Sequence, residues 1–258
     1  MKVVILCGGL GSRLREETEF RPKPLVEIGG RPILWHILKI FGHQGLRDFV
    51  LCLGYKGSLI KEYFLNYEAM NNDVEVQLGA RSTVKFLGEH EEQNYTVKLV
   101  DTGATASTGA RVARVQRHID GDRFMVTYGD GLIDIDLPKL HAFHAAHGRL
   151  ATVTTVRIPG RFGVIEADAD GRIERFREKP TEDAWISAGY FVFEKGVFDY
   201  LWPGDDCVLE RDPLERLVRD GQLVAYRHMG EFYPMDTYRD HVALNELWSS
   251  GKAPWKIW

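Results

Sequence analysis

The residues with the most chemical content stand near the start of the chain. Gly8, Gly9 and Gly11 are followed by Ser12 and Arg13, and then by Lys23 held between Pro22 and Pro24. Glycines placed directly after a strand let the backbone approach an anion, with successive N–H groups turned toward it. Ser12 adds a hydroxyl and Arg13 a guanidinium. The two prolines fix the backbone around Lys23, which lowers the entropy lost in presenting its amine. This is equipment for holding a polyphosphate.

Three phosphate motifs compete for the segment. A P-loop requires a lysine at fixed spacing after its glycines, and none stands there. A dinucleotide fingerprint requires a third glycine opening an uninterrupted helix. Here Leu14 occupies that place, and Pro22 and Pro24 forbid the helix. The third pattern, L-x-G-G-x-G-[ST]-R-L followed by P-K-P, is matched in full by Leu6, Gly8, Gly9, Gly11, Ser12, Arg13, Leu14, Pro22, Lys23 and Pro24.

The elements that must position these residues follow from hydrophobic pattern. Residues 2–7 are a continuous apolar, β-branched run, as expected of a strand buried on both faces. Residues 32–41 read as a helix opening on proline, with Ile33, Ile37 and Ile40 on one side. Residues 49–53 form a second strand and 56–67 a second helix. A later strand over 124–127 ends at Tyr128-Gly129-Asp130-Gly131. This alternation predicts an α/β fold: a Rossmann-like, mixed but mostly parallel central sheet flanked by helices, over one domain spanning 1–258. Two segments break the rhythm and read as added β elements: residues 74–100, and a hairpin over 163–177 turning at Asp170-Gly171.

Bulk properties remove several classes. The net charge of -4 disfavours nucleic acid as a partner, since that class needs a basic surface. No apolar stretch is long enough to span a membrane, and the apolar start is too short for a signal peptide, so a cytoplasmic protein is expected. Cys7, Cys52 and Cys207 lack paired spacing and read as reduced core thiols.

At the glycine loop and its lysine the chain resembles the sugar-1-phosphate nucleotidyltransferases, and in particular their cytidylyltransferase branch. The likeness runs through GYKG at 54–57, LVDTG at 99–103, TGAR at 108–111, TYGDG at 127–131, GRFGVI at 160–165, EKP at 178–180, PMDT at 234–237 and the ending GKAPWKIW. It implies transfer of CMP from CTP to a small phosphorylated acceptor, glucose 1-phosphate first among them, with Mg2+ as cofactor. It also implies a homo-oligomer. By the same resemblance, Lys23 and Arg13 are the catalytic cations on the triphosphate. Thr108, Gly109 and Arg111 line the nucleotide pocket, and Asp130 and Asp236 hold the metal. Tyr128, Gly129, Glu178, Lys179, Ser187, Ala188 and Gly189 face the acceptor.

One departure concerns the acceptor end. Where the family usually has Asn-Gly, this chain has Ser187-Ala188. Serine cannot reproduce the donor and acceptor set of an amide, and alanine adds a methyl where backbone approach would be free. A modified sugar or a non-sugar phosphate is the alternative acceptor, and another nucleoside triphosphate the alternative donor. His141, His144 and His147 recur every third residue on a predicted helix and read as a packed or solvated face. Trp248, Trp255 and Trp258 form an aromatic tail expected to dock on its own domain.

Overall fold

In the computed structural model, residues 1–79, 82–157, 164–167, 172–177 and 184–258 are described. A seven-stranded sheet carries the fold. Its order is Leu223–Arg227, Ala151–Val156, Ile186–Glu194, Arg123–Tyr128, Lys2–Cys7, Asp48–Leu53, Thr96–Asp101. All neighbours pair in parallel except at Ile186–Glu194, which runs antiparallel to both of its partners. The mostly parallel α/β sheet expected from the sequence is therefore present.

Why the first strand is apolar throughout is visible in its surroundings. Val3, Ile5 and Cys7 point into one core, and Val4 and Leu6 into a second core on the opposite face. Asp48–Leu53 divides in the same way, with Phe49, Leu51 and Leu53 on one side and Val50 and Cys52 on the other. Helices cover both faces, so neither side of these strands meets water.

The helix Ile33–His43 begins directly after Pro32. It is buried on more than the one stripe its pattern predicts, because the C-terminal tail covers its outer side. Trp248 and Trp258 stack edge-on against Trp35, and Trp255 is fully buried. The Nε2–H of His36 donates to Ile28 O at 2.9 Å, which leaves Nδ1 to accept from Trp255 Nε1 at 3.4 Å. The aromatic tail thus docks on its own chain.

The residues 74–100 are two structures rather than one addition. Val74–Gln77 and Thr83–Phe86 form a separate exposed two-stranded antiparallel sheet, whereas Thr96–Asp101 is the edge strand of the main sheet. Val164–Ala167 and Ile173–Arg177 pair antiparallel as expected, and the Asp170-Gly171 turn lies outside the described residues. Cys7, Cys52 and Cys207 are buried free thiols. His144 Nδ1 and His147 Nε2 both bond Thr152 Oγ1 at 2.7 Å, so that helix face is packed.

Burial lowers His36 to about 4, so folding keeps it neutral where the unfolded chain would protonate it. Its contribution to stability is complete above the unfolded value of about 6.5 and is lost as pH falls toward 4. Urea unfolding is expected to show stability dropping across that window. Trp255→Ala, which empties a fully buried indole site, is expected to cost about 3–5 kcal/mol. A loss under about 1 kcal/mol would mean that the tail is not part of the core.

Candidate active site

The first strand ends at Cys7, and the chain turns into the glycine loop at the carboxyl edge of the sheet. Its neighbours Asp48–Leu53 and Arg123–Tyr128 lie on either side, so the loop sits where strand order reverses, the usual ligand crevice of such sheets. A cavity of about 300 Å³ opens there. Leu6, Gly8, Gly9, Gly11, Ser12, Arg13, Lys23, Thr108, Arg111, Tyr128, Gly129, Asp130 and Asp236 all line it. Residues named from distant parts of the sequence are brought to one place.

Two carboxylates converge at its mouth by a specific backbone device. After Tyr128 the chain turns and forms the short strand Gly131–Ile133, which pairs antiparallel with Phe232–Pro234. Met235 N–H then donates to Asp130 O at 2.9 Å, which sets Asp236 beside Asp130. Asp236 is held from the other side by the start of the helix Tyr238–Ser249. There Thr237 and Asp240 form a capping box, and Asp240 Oδ2 also accepts from the N–H of Asp236.

Lys23 lies between these carboxylates. Its Nζ donates to Asp130 Oδ2 at 2.6 Å and to Asp236 Oδ1 at 2.8 Å, with only 11% of the side chain exposed. Burial pushes the amine down, but the charges and hydrogen bonds of Asp130 and Asp236 outweigh burial, so it is held above the ordinary lysine value. Arg13 reaches Asp236 Oδ2 at 2.9 Å from the solvent side, with 72% of its side chain exposed. The donor set fits a divalent cation: two carboxylates aim at one point, where the ammonium now stands, and phosphate oxygens would complete a hard-oxygen shell.

Arg111 lines the cavity in a different way from its expected contact role. Its guanidinium is engaged by the protein itself: Nη1 donates to Leu53 O, Thr102 Oγ1 and Gly103 O at 3.0, 2.8 and 2.8 Å, and Nη2 to Gly8 O at 3.0 Å. Burial lowers its pKa from the usual arginine value. Arg111 therefore ties the glycine loop to the ends of two neighbouring strands. Gly8 permits this, because a Cβ there would lie 2.1 Å from Arg111 Nη1.

Of the residues expected to face the acceptor, Tyr128 packs its ring onto Gly189. That residue has φ +74, and a Cβ on it would meet the ring at 2.2 Å, so glycine is required twice over. Gly129 donates its N–H to Leu6 O at 3.0 Å. Ser187 accepts from Gly189 N–H at 3.1 Å. Ala188 is 4% exposed and belongs to the core, so its methyl packs inward instead of standing in a free approach to the site. Glu178 and Lys179 lie outside the described residues. Gly109 sits in the first turn of the helix Thr108–Arg114 and is buried.

A residue that no motif singles out joins this group. Glu210 accepts a 2.7 Å bond from Thr108 Oγ1 and another from the Tyr128 hydroxyl. Its segment carries no glycine signature or family string, so only proximity in space exposes it.

A sequence model described as nucleotidyl transferase matches residues 2–237. The chain belongs to the nucleotidyl transferase family. A glucose-1-phosphate cytidylyltransferase of Salmonella typhi is 47% identical over 260 residues, covering 100% of both chains. A mannose-1-phosphate guanyltransferase of Neurospora crassa is 32% identical, covering 97% of this chain and 65% of that one. The crystal structure of HddC from Yersinia pseudotuberculosis superposes with a TM-score of 0.70 at 22% identity, covering 96% of this chain and 99% of that one, a likeness of fold. Among the described residues, no helix is long and apolar enough to cross a membrane.

The close pass of Arg111 over Gly8 gives a direct check on how this nucleotidyltransferase holds its loop. Gly8→Ala is expected to lower stability by about 1–3 kcal/mol in urea unfolding. Calorimetric titration with nucleoside triphosphate should show at least about a tenfold loss of affinity. Unchanged binding would show that the loop does not depend on Arg111.

Proposed function

We propose that this enzyme transfers CMP from CTP to glucose 1-phosphate, giving CDP-glucose and pyrophosphate. The observation that carries the chemistry is the cluster of Arg13, Lys23, Asp130 and Asp236 at the mouth of the glycine-loop cavity. The full-length likeness to the Salmonella enzyme supports the choice of nucleotide and sugar.

In this reading a phosphate oxygen of the sugar phosphate attacks the α-phosphorus of CTP. The new P–O bond forms as the bond to the β-phosphate oxygen breaks, and pyrophosphate leaves with that electron pair. The protein supplies position and charge. Glycine-loop amides and Ser12 bind the triphosphate, Arg13 holds the departing pyrophosphate, and Lys23 meets the charge that grows on the phosphates. Thr108, Gly109 and the wall that Arg111 supports bound the nucleotide. Tyr128, Gly129 and the strand carrying Ser187 and Gly189 face the acceptor, together with Glu178 and Lys179. Asp130 and Asp236 are the residues that would hold Mg2+, and that ion neutralises part of the triphosphate charge. Cys7, at the cavity floor, is pushed well above the usual thiol range by burial, in keeping with direct displacement without a thiolate nucleophile.

The same reading takes the protein as a cytoplasmic homo-oligomer. The exposed apolar residues Val76, Leu78, Val84 and Phe86, in and beside the paired strands Val74–Gln77 and Thr83–Phe86, are its contact surface, which light scattering of the protein with these residues replaced by serine would test.

The assay that decides the function is a matrix of CTP, UTP, dTTP and GTP against sugar 1-phosphates, followed by pyrophosphate release with Mg2+. CTP with glucose 1-phosphate is expected to turn over fastest, and turnover only with another triphosphate would overturn the cytidylyl assignment. For the metal, Lys23→Met removes the cation standing between the carboxylates. Calorimetry with Mn2+ and no nucleotide should then show at least about tenfold tighter binding, since two carboxylates lose a competing counter-ion, while transfer slows at least about 10²-fold. Asp236→Asn should slow transfer similarly and weaken Mn2+ binding. Weaker Mn2+ binding in Lys23→Met would reject the pair as the metal site.

A further inference from the structure

Glu210 stands outside the residues that line the cavity, yet it touches two of them. One carboxylate oxygen accepts from Thr108 Oγ1 at 2.7 Å and the other from the Tyr128 hydroxyl. Thr108 opens a helix on the nucleotide side of the cavity. Tyr128 ends a central strand and faces the acceptor side. The two belong to different elements, and a single acid bridges them.

The segment that presents Glu210 is itself fastened. Asp205 O accepts from Ser107 N–H and Cys207 O from Ala110 N–H, both at 3.0 Å, and Leu209 N–H donates to Thr108 Oγ1 at 2.9 Å. Arg114 adds an ion pair to Asp205 at 2.6 Å. Glu210 is therefore delivered from a fixed backbone. Tyr128 is likewise held at both ends, its ring seated on Gly189 and its hydroxyl on Glu210.

We infer that Glu210 is a positioning residue that sets the separation between the nucleotide wall at Thr108 and the acceptor wall at Tyr128. The inference rests on the transfer reaction proposed above and adds a residue to it. In-line attack requires two bound phosphates in register, and a misplacement of about 1 Å can cost about 10²-fold in rate. Hydrogen bonds to an ionised acceptor are the strong kind, suited to holding a wall in place. A merely structural acid would act on stability and leave the rate of the folded enzyme alone.

The test is a double-mutant cycle with whichever triphosphate and acceptor the wild-type enzyme uses best. Glu210→Ala is expected to lower kcat at least about tenfold, to change KM for the triphosphate less than about threefold, and to leave the thermal midpoint near the wild-type value. Glu210→Gln, which keeps one acceptor oxygen, recovers part of the loss. Tyr128→Phe combined with Glu210→Ala is expected to cost no more than the worse single change, because both remove the same bond. Additive losses, or unchanged kcat with a lowered midpoint, would overturn the inference. A second readout is independent of turnover. In protein labelled with 3-fluorotyrosine, the 19F resonance that disappears in Tyr128→Phe should shift in Glu210→Ala. An unmoved resonance would also overturn the inference, whereas absence of turnover in the wild type would strike the proposed reaction alone.

Discussion

Two carboxylates that face one point repel each other unless a cation stands between them. Asp130 and Asp236 are held in that arrangement by backbone, through the short strand pairing that ends at Met235 and the capping box that follows. The arrangement is stable as seen because Lys23 lies between the acids. That one contact links the glycine-loop region, the end of a central strand and the start of the C-terminal helix, which are separated by 107 and 213 positions in sequence. A polyphosphate with its counter-ion would offer the same charges in exchange: anions for the lysine, and a cation for the aspartates. Under the proposed transfer, the cluster is held in a charge state that a triphosphate with its metal ion would replace without leaving a charge uncompensated.

A charged cluster of this kind functions only on a rigid support, and the support is made largely of buried polar contacts. Among the described residues, Arg111 makes no hydrogen bond to a carboxylate and instead collects carbonyls at the ends of two strands and from Gly8. Leu53 O also accepts from the N–H and hydroxyl of Thr102, and Gly8 O from Tyr55 N–H, so the guanidinium is a shared donor at a junction of segments. The guanidinium therefore fixes the loop's first residue relative to the sheet, and Gly8 must remain without a side chain for the guanidinium to pass. Glu210 performs the matching task at the opposite wall, from a more exposed position and with one acid in place of a fork of donors.

Much of this was legible in the sequence where the signal is local. Val3–Cys7 announced a doubly buried strand by its unbroken apolar run, and the glycines with the proline-framed lysine pointed to residues that the fold does bring together in one cavity. What was not legible depends on what packs against what. The helix Ile33–His43 shows one apolar stripe in sequence, yet its outer face is covered by Trp248, Trp255 and Trp258 from the far end of the chain. Thr96–Asp101 reads like part of an added β segment, because parallel pairing with Asp48–Leu53 leaves no local mark. The motif that contains Arg111 shows that the residue matters, while its donors, all directed to protein oxygens, emerge only from the fold. Glu210 has no local signature, since its partners lie 102 and 82 positions away.

The two halves of the site differ in how deeply they are tied to the fold. Around the glycine loop, Lys23, Asp130, Asp236, Gly8 and Arg111 each bond to distant segments, so a change there disturbs structure as well as the proposed chemistry. Of the residues proposed to face the acceptor, Ser187 and Gly189 sit on one strand, and Ser187 Oγ accepts from the N–H two residues along. Ala188 faces the core and is not among the described residues that line the glycine-loop cavity. Under the proposed assignment, a serine at 187 offers an acceptor a different hydrogen-bonding set from that of an asparagine, while its hydroxyl also accepts from Gly189 N–H at 3.1 Å. Specificity in such a site is set by whether polar groups of the acceptor find partners. Under the proposed assignment, the chemistry of nucleotidyl transfer and the choice of acceptor are carried by parts of the molecule that can vary separately, which is the arrangement expected of one fold serving many nucleotide–sugar pairs.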